Sequence, residues 1–268
     1  FFLKLIMDSS NKKRINFLVT IEARMNSERL PGKVCLKFEN SKTALEVLID
    51  RIKKSKFAKK ILIATTKKKI DDKIVNIAKR KKVLIFRGSE KNVLNRIFTA
   101  TKDKHENCII QLTGDNPFID PLVIDYVVNF FISNYPKYDY VTNNNMFDKK
   151  KSIPLGMIVS VFKKLSFQKI NRLACKKEHF EHPSLFFYEE GKKIFKIKNL
   201  KMPKKWCSNL NPRLTLDTEE DYIFLKKIYK GLKNVKDFTL VDILRFLKNN
   251  KNYLKINSHI KQKMPKIL

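Results

Sequence analysis

The sequence predicts an α/β fold: a doubly wound, mostly parallel sheet with a small inserted lobe. Three observations lead there. Apolar strand-like runs alternate with amphipathic helical stretches through the first 145 residues, the pattern that builds parallel sheets covered by helices. The first run feeds directly into a loop rich in arginine, Pro-Gly and lysine, at the place where open α/β sheets bind nucleotides. A second loop, Thr113-Gly114-Asp115-Asn116-Pro117, presents a carboxylate after the fourth strand.

The elements follow in order. Ile15 to Ile21 is apolar throughout and reads as a buried strand. Thr43 to Ser55 is a helix with Leu45, Leu48, Ile49 and Ile52 on one face, opened by a Thr43–Glu46 capping box. Lys60 to Thr66 is the second strand, and Asp71 to Lys81 a helix with Ile74, Ile77 and Ala78 inward. Val83 to Phe86 is a short strand. Lys91 to Lys102 is a helix with Val93, Leu94, Ile97 and Phe98 on its apolar face. Cys108 to Leu112 is the fourth strand, Pro121 to Ser133 a helix, and Tyr138 to Val141 a further strand. The alternation breaks at Asn143-Asn144-Asn145. From there to Trp206 the chain is irregular and holds Pro154, Gly156, Pro183 and Pro203. This stretch, 143–206, reads as a small lobe or dimerisation arm. Arg213 to Leu216 is expected to return to the sheet. Asp217 to Asp221 then opens a helix, Tyr222 to Leu232, with acids at its positive end. Thr239 to Asn249 is the last helix. Residues 1–13 read as an extension and 251–268 as a basic tail.

A chain of 268 residues with 43% hydrophobic content builds one large domain with an ample core. Its formal charge of +32 invites a nucleic-acid reading. Against it, only ten of the 58 basic residues are arginine, the usual reader of bases and phosphates, and the lysines are spread along the whole chain. No specific nucleic acid is therefore expected as a partner. No apolar run approaches the roughly 18–20 residues that span a bilayer. Phe1 to Met7 is too short for a secretory signal, and Met7 can serve as a start, so the expected location is the cytoplasm. Cys35, Cys108, Cys175 and Cys207 lack CxxC spacing, and no neighbouring ligand set supports a metal at the His179/His182 pair. Neither a disulfide framework nor a zinc site is expected.

Chemistry concentrates in two loops. Ala23-Arg24-Met25-Asn26-Ser27-Glu28-Arg29-Leu30-Pro31-Gly32-Lys33 holds two of the ten arginines. Arginine makes forked contacts to phosphate oxygens and lysine supplies a mobile point charge, while Gly32 permits close backbone approach. Asp115 suits Mg²⁺, which takes few protein ligands and keeps water and phosphate for the rest. Asp217 occupies the matching place after the last strand. Together the two carboxylates and the loop make a site for a nucleoside triphosphate and a metal.

The loop ARMNSERLPGK, the segment FRGSEKNVLNR (Phe86 to Arg96), QLTGDNPFIDP (Gln111 to Pro121) and LDTEEDY (Leu216 to Tyr222) occur in this order. Jointly they resemble the cytidylyltransferase family of the spore coat polysaccharide biosynthesis protein F type. That family is related to the synthetases of CMP-activated sialic acids, pseudaminic acid and Kdo. The resemblance spans about residues 14–232. It implies a nucleotide-diphospho-sugar transferase type of Rossmann-like fold over 14–250, CTP and a small-molecule acceptor as partners, Mg²⁺ as cofactor and a homodimer. It also implies roles for individual residues. Arg24, Ser27, Arg29 and Lys33, with Ala23 beside them, hold the triphosphate, with Arg24, Lys33 and Asp115 in catalysis. Arg87, Gly88 and Ser89 form a second nucleotide segment, and Gln111 lies near the base. Asp115 and Asp217 bind the metal. Asn143, Gly156 and His179 face the acceptor, Glu178-His179 resembling the family's EHVT segment. Plainer readings stand beside three of these. Arg87 can be a salt-bridged helix start, Gln111 a buried amide satisfied by backbone, and His179 a packing residue. One departure matters. Where the family carries acids in a PxGLDVEVF segment, this chain has Ile158 and Ser160, which implies an altered acceptor, or plain core packing. The competing functions are a nucleotidyltransferase with another NTP or a phosphorylated non-sugar acceptor, and a basic nucleic-acid-binding protein on the same scaffold.

Overall fold

The computed structural model describes residues 15–38, 42–144 and 153–263. The expected N-terminal extension and Asn145 lie outside them. The strands are β1 (Phe17–Glu22), β2 (Ile61–Thr66), β3 (Leu84–Gly88), β4 (Cys108–Thr113), β5 (Tyr140–Thr142), β6 (Ser160–Lys163) and β7 (Ile197–Asn199). They form one sheet in the order β3-β2-β1-β4-β6-β5-β7. Every neighbouring pair is parallel except β4–β6 and β5–β6. The mostly parallel sheet is thus present, with a single reversed strand. That strand comes from the irregular stretch 143–206, which places β6 inside the main sheet.

The helices are α1 (Ala44–Ile52), α2 (Asp72–Arg80), α3 (Val93–Thr101), α4 (Pro121–Ser133), α5 (Lys164–Leu173), α6 (Lys177–Glu181), α7 (Ser184–Tyr188), α8 (Glu219–Gly231) and α9 (Leu240–Asn249). Local rules account for their starts. The Thr43–Glu46 capping box opens α1, and Thr218 with Asp221 builds a second one on α8. One sheet face carries Phe17, Val19 and Ile21 of β1, Cys108, Ile110 and Leu112 of β4, and Val161 of β6, packed against α1, α2, α4, α8 and α9. The other face carries Ile109, Phe162 and Tyr140 under α3, α5 and α7. On this second face Thr20, Gln111, Ser160 and Thr142 sit side by side in register, two residues along the strands from that apolar layer.

One sequence expectation is corrected by the structure. Arg213 to Leu216 forms no strand. It meets the rest of the sheet region through a single bridge, Leu155 to Arg213, and through Leu214 N donating to Leu155 O at 2.9 Å. The segment crosses the C-terminal rim of the sheet, so its amides reach loops and not a strand partner. Ile158 is half-buried against the main core, and Ser160 is buried with its hydroxyl 2.9 Å from Tyr140 Oη.

Candidate active site

β1 ends where its loop begins, and the loop is pinned from below. Met25 N donates to Asp71 Oδ1 at 2.7 Å, while Asp71 also accepts from Thr66 N at 3.3 Å and from the Thr66 hydroxyl. Gly32 N donates to Met25 O at 2.7 Å, closing the loop on itself. Gly32 has φ +74°, a left-handed conformation that glycine adopts without strain. Between these anchors Arg24 makes no hydrogen bond or ion pair with any described residue. Ser27 likewise keeps its hydroxyl uncommitted and spends only its backbone N–H, on Met25 O at 3.0 Å.

The two acidic loops meet at the far end of the arginine loop. Leu216 N donates to Asp115 O at 2.8 Å, which sets Asp217 beside Asp115 although about a hundred residues separate them. Lys33 Nζ lies 2.9 Å from Asp115 Oδ2 and 2.8 Å from Asp217 Oδ1. Arg29 adds a contact of 3.2 Å to the same Asp217 oxygen. Burial works against the Lys33 ammonium, but the two carboxylates outweigh it and hold the group above the ordinary lysine value. Burial likewise opposes the charged form of Asp115, and Lys33 and the Thr113 hydroxyl, 2.7 Å away, hold its carboxyl below the usual range. The close approach of the β1 and β4 ends needs Gly114, because a Cβ there would come within 2.8 Å of Glu22 O.

Asp217 is buried at the edge of the sheet. It is 5% exposed, and its second oxygen accepts from Arg213 Nη2 at 2.6 Å. The reason is again the path of residues 213–216, which carries Asp217 under the start of α8.

The second segment approaches the loop through Asn26, whose amide donates to Glu90 Oε1 at 3.2 Å. Gly88 is buried because a Cβ would stand 2.9 Å from Arg96 Cγ. Ser89 caps the next turn, accepting from Asn92 N at 3.1 Å. Arg87 is taken up by the β2–α2 connection: it donates to Thr66 O at 2.9 Å and Lys68 O at 2.7 Å and pairs with Asp72. Gln111 donates to Glu22 Oε2 at 3.4 Å.

Glu22 and Arg96 were not singled out from the sequence. Glu22 ends β1 among Thr20, Gln111 and Arg96. Burial pushes its carboxyl up to about 8, although Arg96 and the hydrogen bonds from Gln111 and Thr20 pull the other way. A lone acid in an apolar run was the available signal. Arg96 is buried, reaches Ser89 O and Glu90 O, and leaves Nε without a partner among the described residues. It lay inside the quoted FRGSEKNVLNR motif.

The three acceptor-side residues are engaged in the fold. Asn143 is fully buried, donates to Met157 O at 2.8 Å and accepts from Val159 N at 2.8 Å. Gly156 has φ +94°, and a Cβ would sit 2.5 Å from Leu214 O. His179 is fully buried, with Nε2 at 2.9 Å from Glu189 and 3.3 Å from Glu190 and its ring against Phe186. Those three bring ligand-type atoms within 4.8 Å of one another, a grouping not visible in sequence. Lys176, 3.0 and 2.8 Å from the same carboxylates, supplies the cation there. Among the described residues no helix is long and apolar enough to cross a membrane.

Comparison with known proteins bears on this geometry. Residues 18–253 match the family model described as Cytidylyltransferase. An uncharacterized protein of Methanocaldococcus jannaschii is 37% identical over 246 residues, covering 91% of this chain and 95% of that one. The spore coat polysaccharide biosynthesis protein SpsF of Bacillus subtilis is 29% identical over 239 residues, 88% of this chain and 95% of its own. The solved structure of a cytidylyltransferase from Leptospira borgpetersenii superimposes with a TM-score of 0.83 at 30% identity, covering 94% of this chain and all of that one.

Proposed function

The chain belongs to the cytidylyltransferase family, and on that premise we propose that it transfers CMP from CTP to an acidic sugar or related acceptor in surface-glycan biosynthesis. An acceptor oxygen attacks the α-phosphorus. The bond from that phosphorus to the bridging oxygen breaks, and the electron pair leaves with pyrophosphate. Such a displacement needs alignment and charge neutralisation, with no covalent nucleophile.

The observation that carries the proposal is the convergence of Asp115 and Asp217 on the ammonium of Lys33, the last residue of the arginine loop. Here two carboxylates already share one cation. Lys33 and Arg29 balance them, while Arg213 is shared with Asp221. A triphosphate entering the loop competes for Lys33 and Arg29 and leaves the carboxylates in need of another positive charge. The donor set, two carboxylate oxygens with room left for water and phosphate, fits Mg²⁺. Bound by Asp115 and Asp217, Mg²⁺ would neutralise phosphate charge and lower the cost of charge on the attacking oxygen. Arg24 holds a phosphate that no protein carboxylate contests, and Lys33 and Arg29 stabilise the departing pyrophosphate.

The test is pyrophosphate release across CTP, UTP, ATP and GTP with a panel of acidic sugars, with and without Mg²⁺. The expected result is release from CTP that depends on both acceptor and metal. A clear preference for ATP or GTP would overturn the cytidylyl assignment.

A further inference from the structure

Beyond the catalytic loops, Arg213 and Asp221 hold Asp217, and both are touched by residues outside the stretch the family model matches, which stops at residue 253. The chain continues past α9 through a 3₁₀ turn, Lys251–Ile256, into Asn257, which is 1% exposed. One amide nitrogen, Asn257 Nδ2, donates both to Arg213 O at 3.0 Å and to Asp221 Oδ1 at 2.9 Å. Gln262 then accepts from Arg213 Nη1 through its side-chain oxygen. Lys263 pairs with Glu28 of the arginine loop at 3.0 Å.

The Asn257 and Gln262 contacts lead to Asp217. Arg213 Nη2 binds Asp217 Oδ2, while Arg213 Nε is held at 3.0 and 3.2 Å by the two oxygens of Asp221. Asp221 Oδ2 also accepts from Asp217 N at 3.0 Å. The side chain and backbone of Asp217 are therefore fixed by two groups, Arg213 and Asp221, and the 254–263 segment touches both. With Oδ2 committed to Arg213, Asp217 turns its other oxygen, Oδ1, to Lys33 and the site. All three guanidinium nitrogens of Arg213 are committed, which leaves its planar fork little freedom to turn.

We propose that Asn257 and Gln262 are positioning residues of the active site, acting through Arg213 to aim Asp217, and that residues 254–263 form a strap that completes the cation site. The inference rests on the reading of Asp217 as part of the binding machinery. A residue that only stabilised the fold would change melting temperature. A residue that aims a metal-binding oxygen changes the metal dependence of a folded enzyme.

The experiment compares Gln262→Ala, Gln262→Glu, Asn257→Ala and Asp217→Asn. Mg²⁺ is titrated calorimetrically into protein saturated with a non-hydrolysable CTP analogue, and turnover is measured against Mg²⁺ and against CTP. Gln262→Ala is expected to weaken Mg²⁺ binding about five- to ten-fold and lower kcat by a similar factor, with the KM for CTP within about two-fold. Gln262→Glu restores an acceptor to Arg213 and should recover most of both. Asn257→Ala is expected to show the larger defect. If it does not fold, the two Gln262 variants still decide. Wild-type Mg²⁺ binding in a folded Gln262→Ala, or a defect that Gln262→Glu does not relieve, would overturn the strap. Wild-type Mg²⁺ binding in Asp217→Asn would overturn the reading of the site itself, and the strap with it.

Discussion

The proposed nucleotide half and the proposed acceptor half of this protein treat their motif residues in opposite ways. On the nucleotide side, Arg24 and the Ser27 hydroxyl are uncommitted among the described residues. Lys33, Asp115 and Arg29 pair only within the site. On the proposed acceptor side, Asn143, Gly156 and His179 are spent on backbone, close approach and contacts with Glu189 and Glu190. The lesson is that a motif position marks a place where the fold demands a residue type, and the demand can come from packing as readily as from a ligand. Burial and partner lists separate the two cases.

That contrast is sharpest for the carboxylates. Asp115→Asn and Asp217→Asn are each expected to lower turnover at least about 100-fold, roughly 2.7 kcal/mol of transition-state stabilisation. The two should differ in stability. Asp217→Asn strips charge from the buried Arg213 and should lower the melting temperature, whereas the more open Asp115 site should not suffer. Thermal melts alongside steady-state rates check both halves. Near wild-type turnover at saturating Mg²⁺ in either variant would mean that the metal site is misplaced.

Asn143→Ala should do the reverse. It orphans a buried carbonyl and a buried amide, costing about 2 kcal/mol of stability. Acceptor KM should stay unchanged in the folded fraction. Denaturant unfolding and acceptor titration decide, and a raised acceptor KM without loss of stability would break the contrast. Arg24→Ala is expected to raise the KM for CTP about ten-fold, near 1.4 kcal/mol. Melting temperature should not move, because no protein partner is lost.

The smallest effect concerns Glu22. Its folded value of about 8 lies above the ordinary 4.5, so the folded state holds more protons than the unfolded one between those limits. Stability therefore falls as pH rises through that window. Glu22→Gln removes the slope. It should raise the melting temperature more at pH 8.5 than at pH 5.5. Equal gains at both pH values would refute a buried, proton-holding Glu22.

Much of the nucleotide half was legible because local rules decide it. The Thr43–Glu46 box, the inward faces of α1 and α2, and the loops after β1 and β4 follow from periodicity, caps and turn chemistry. What escaped depends on distant partners. Leu214 and Leu216 are apolar at strand spacing, yet their amides reach Leu155 and Asp115, and nothing near them in sequence says so. The pinning of Met25 by Asp71 and the role of Arg213 are likewise long-range. Asn143 sits in a run of asparagines that reads as a loop, although its amide holds residues 157 and 159 together inside the protein.

The reversed strand β6 has a consequence for the order in which the molecule assembles. β5 precedes β6 in the chain but lies beyond it in the sheet, so β5 cannot simply pair with β4. It must leave a gap of roughly 10 Å, two strand spacings, for a segment made later. The first four strands form one contiguous parallel block, β3-β2-β1-β4, and can collect on the ribosome before residue 140 emerges. The β4–β6 seam, four register pairs long, can close only after β6 is made, around a loop of about fifty residues whose entropy is repaid only on docking. Native-state hydrogen exchange should therefore find this seam opening at lower free energy than β1–β4, letting the acceptor side unzip while the nucleotide side stays folded.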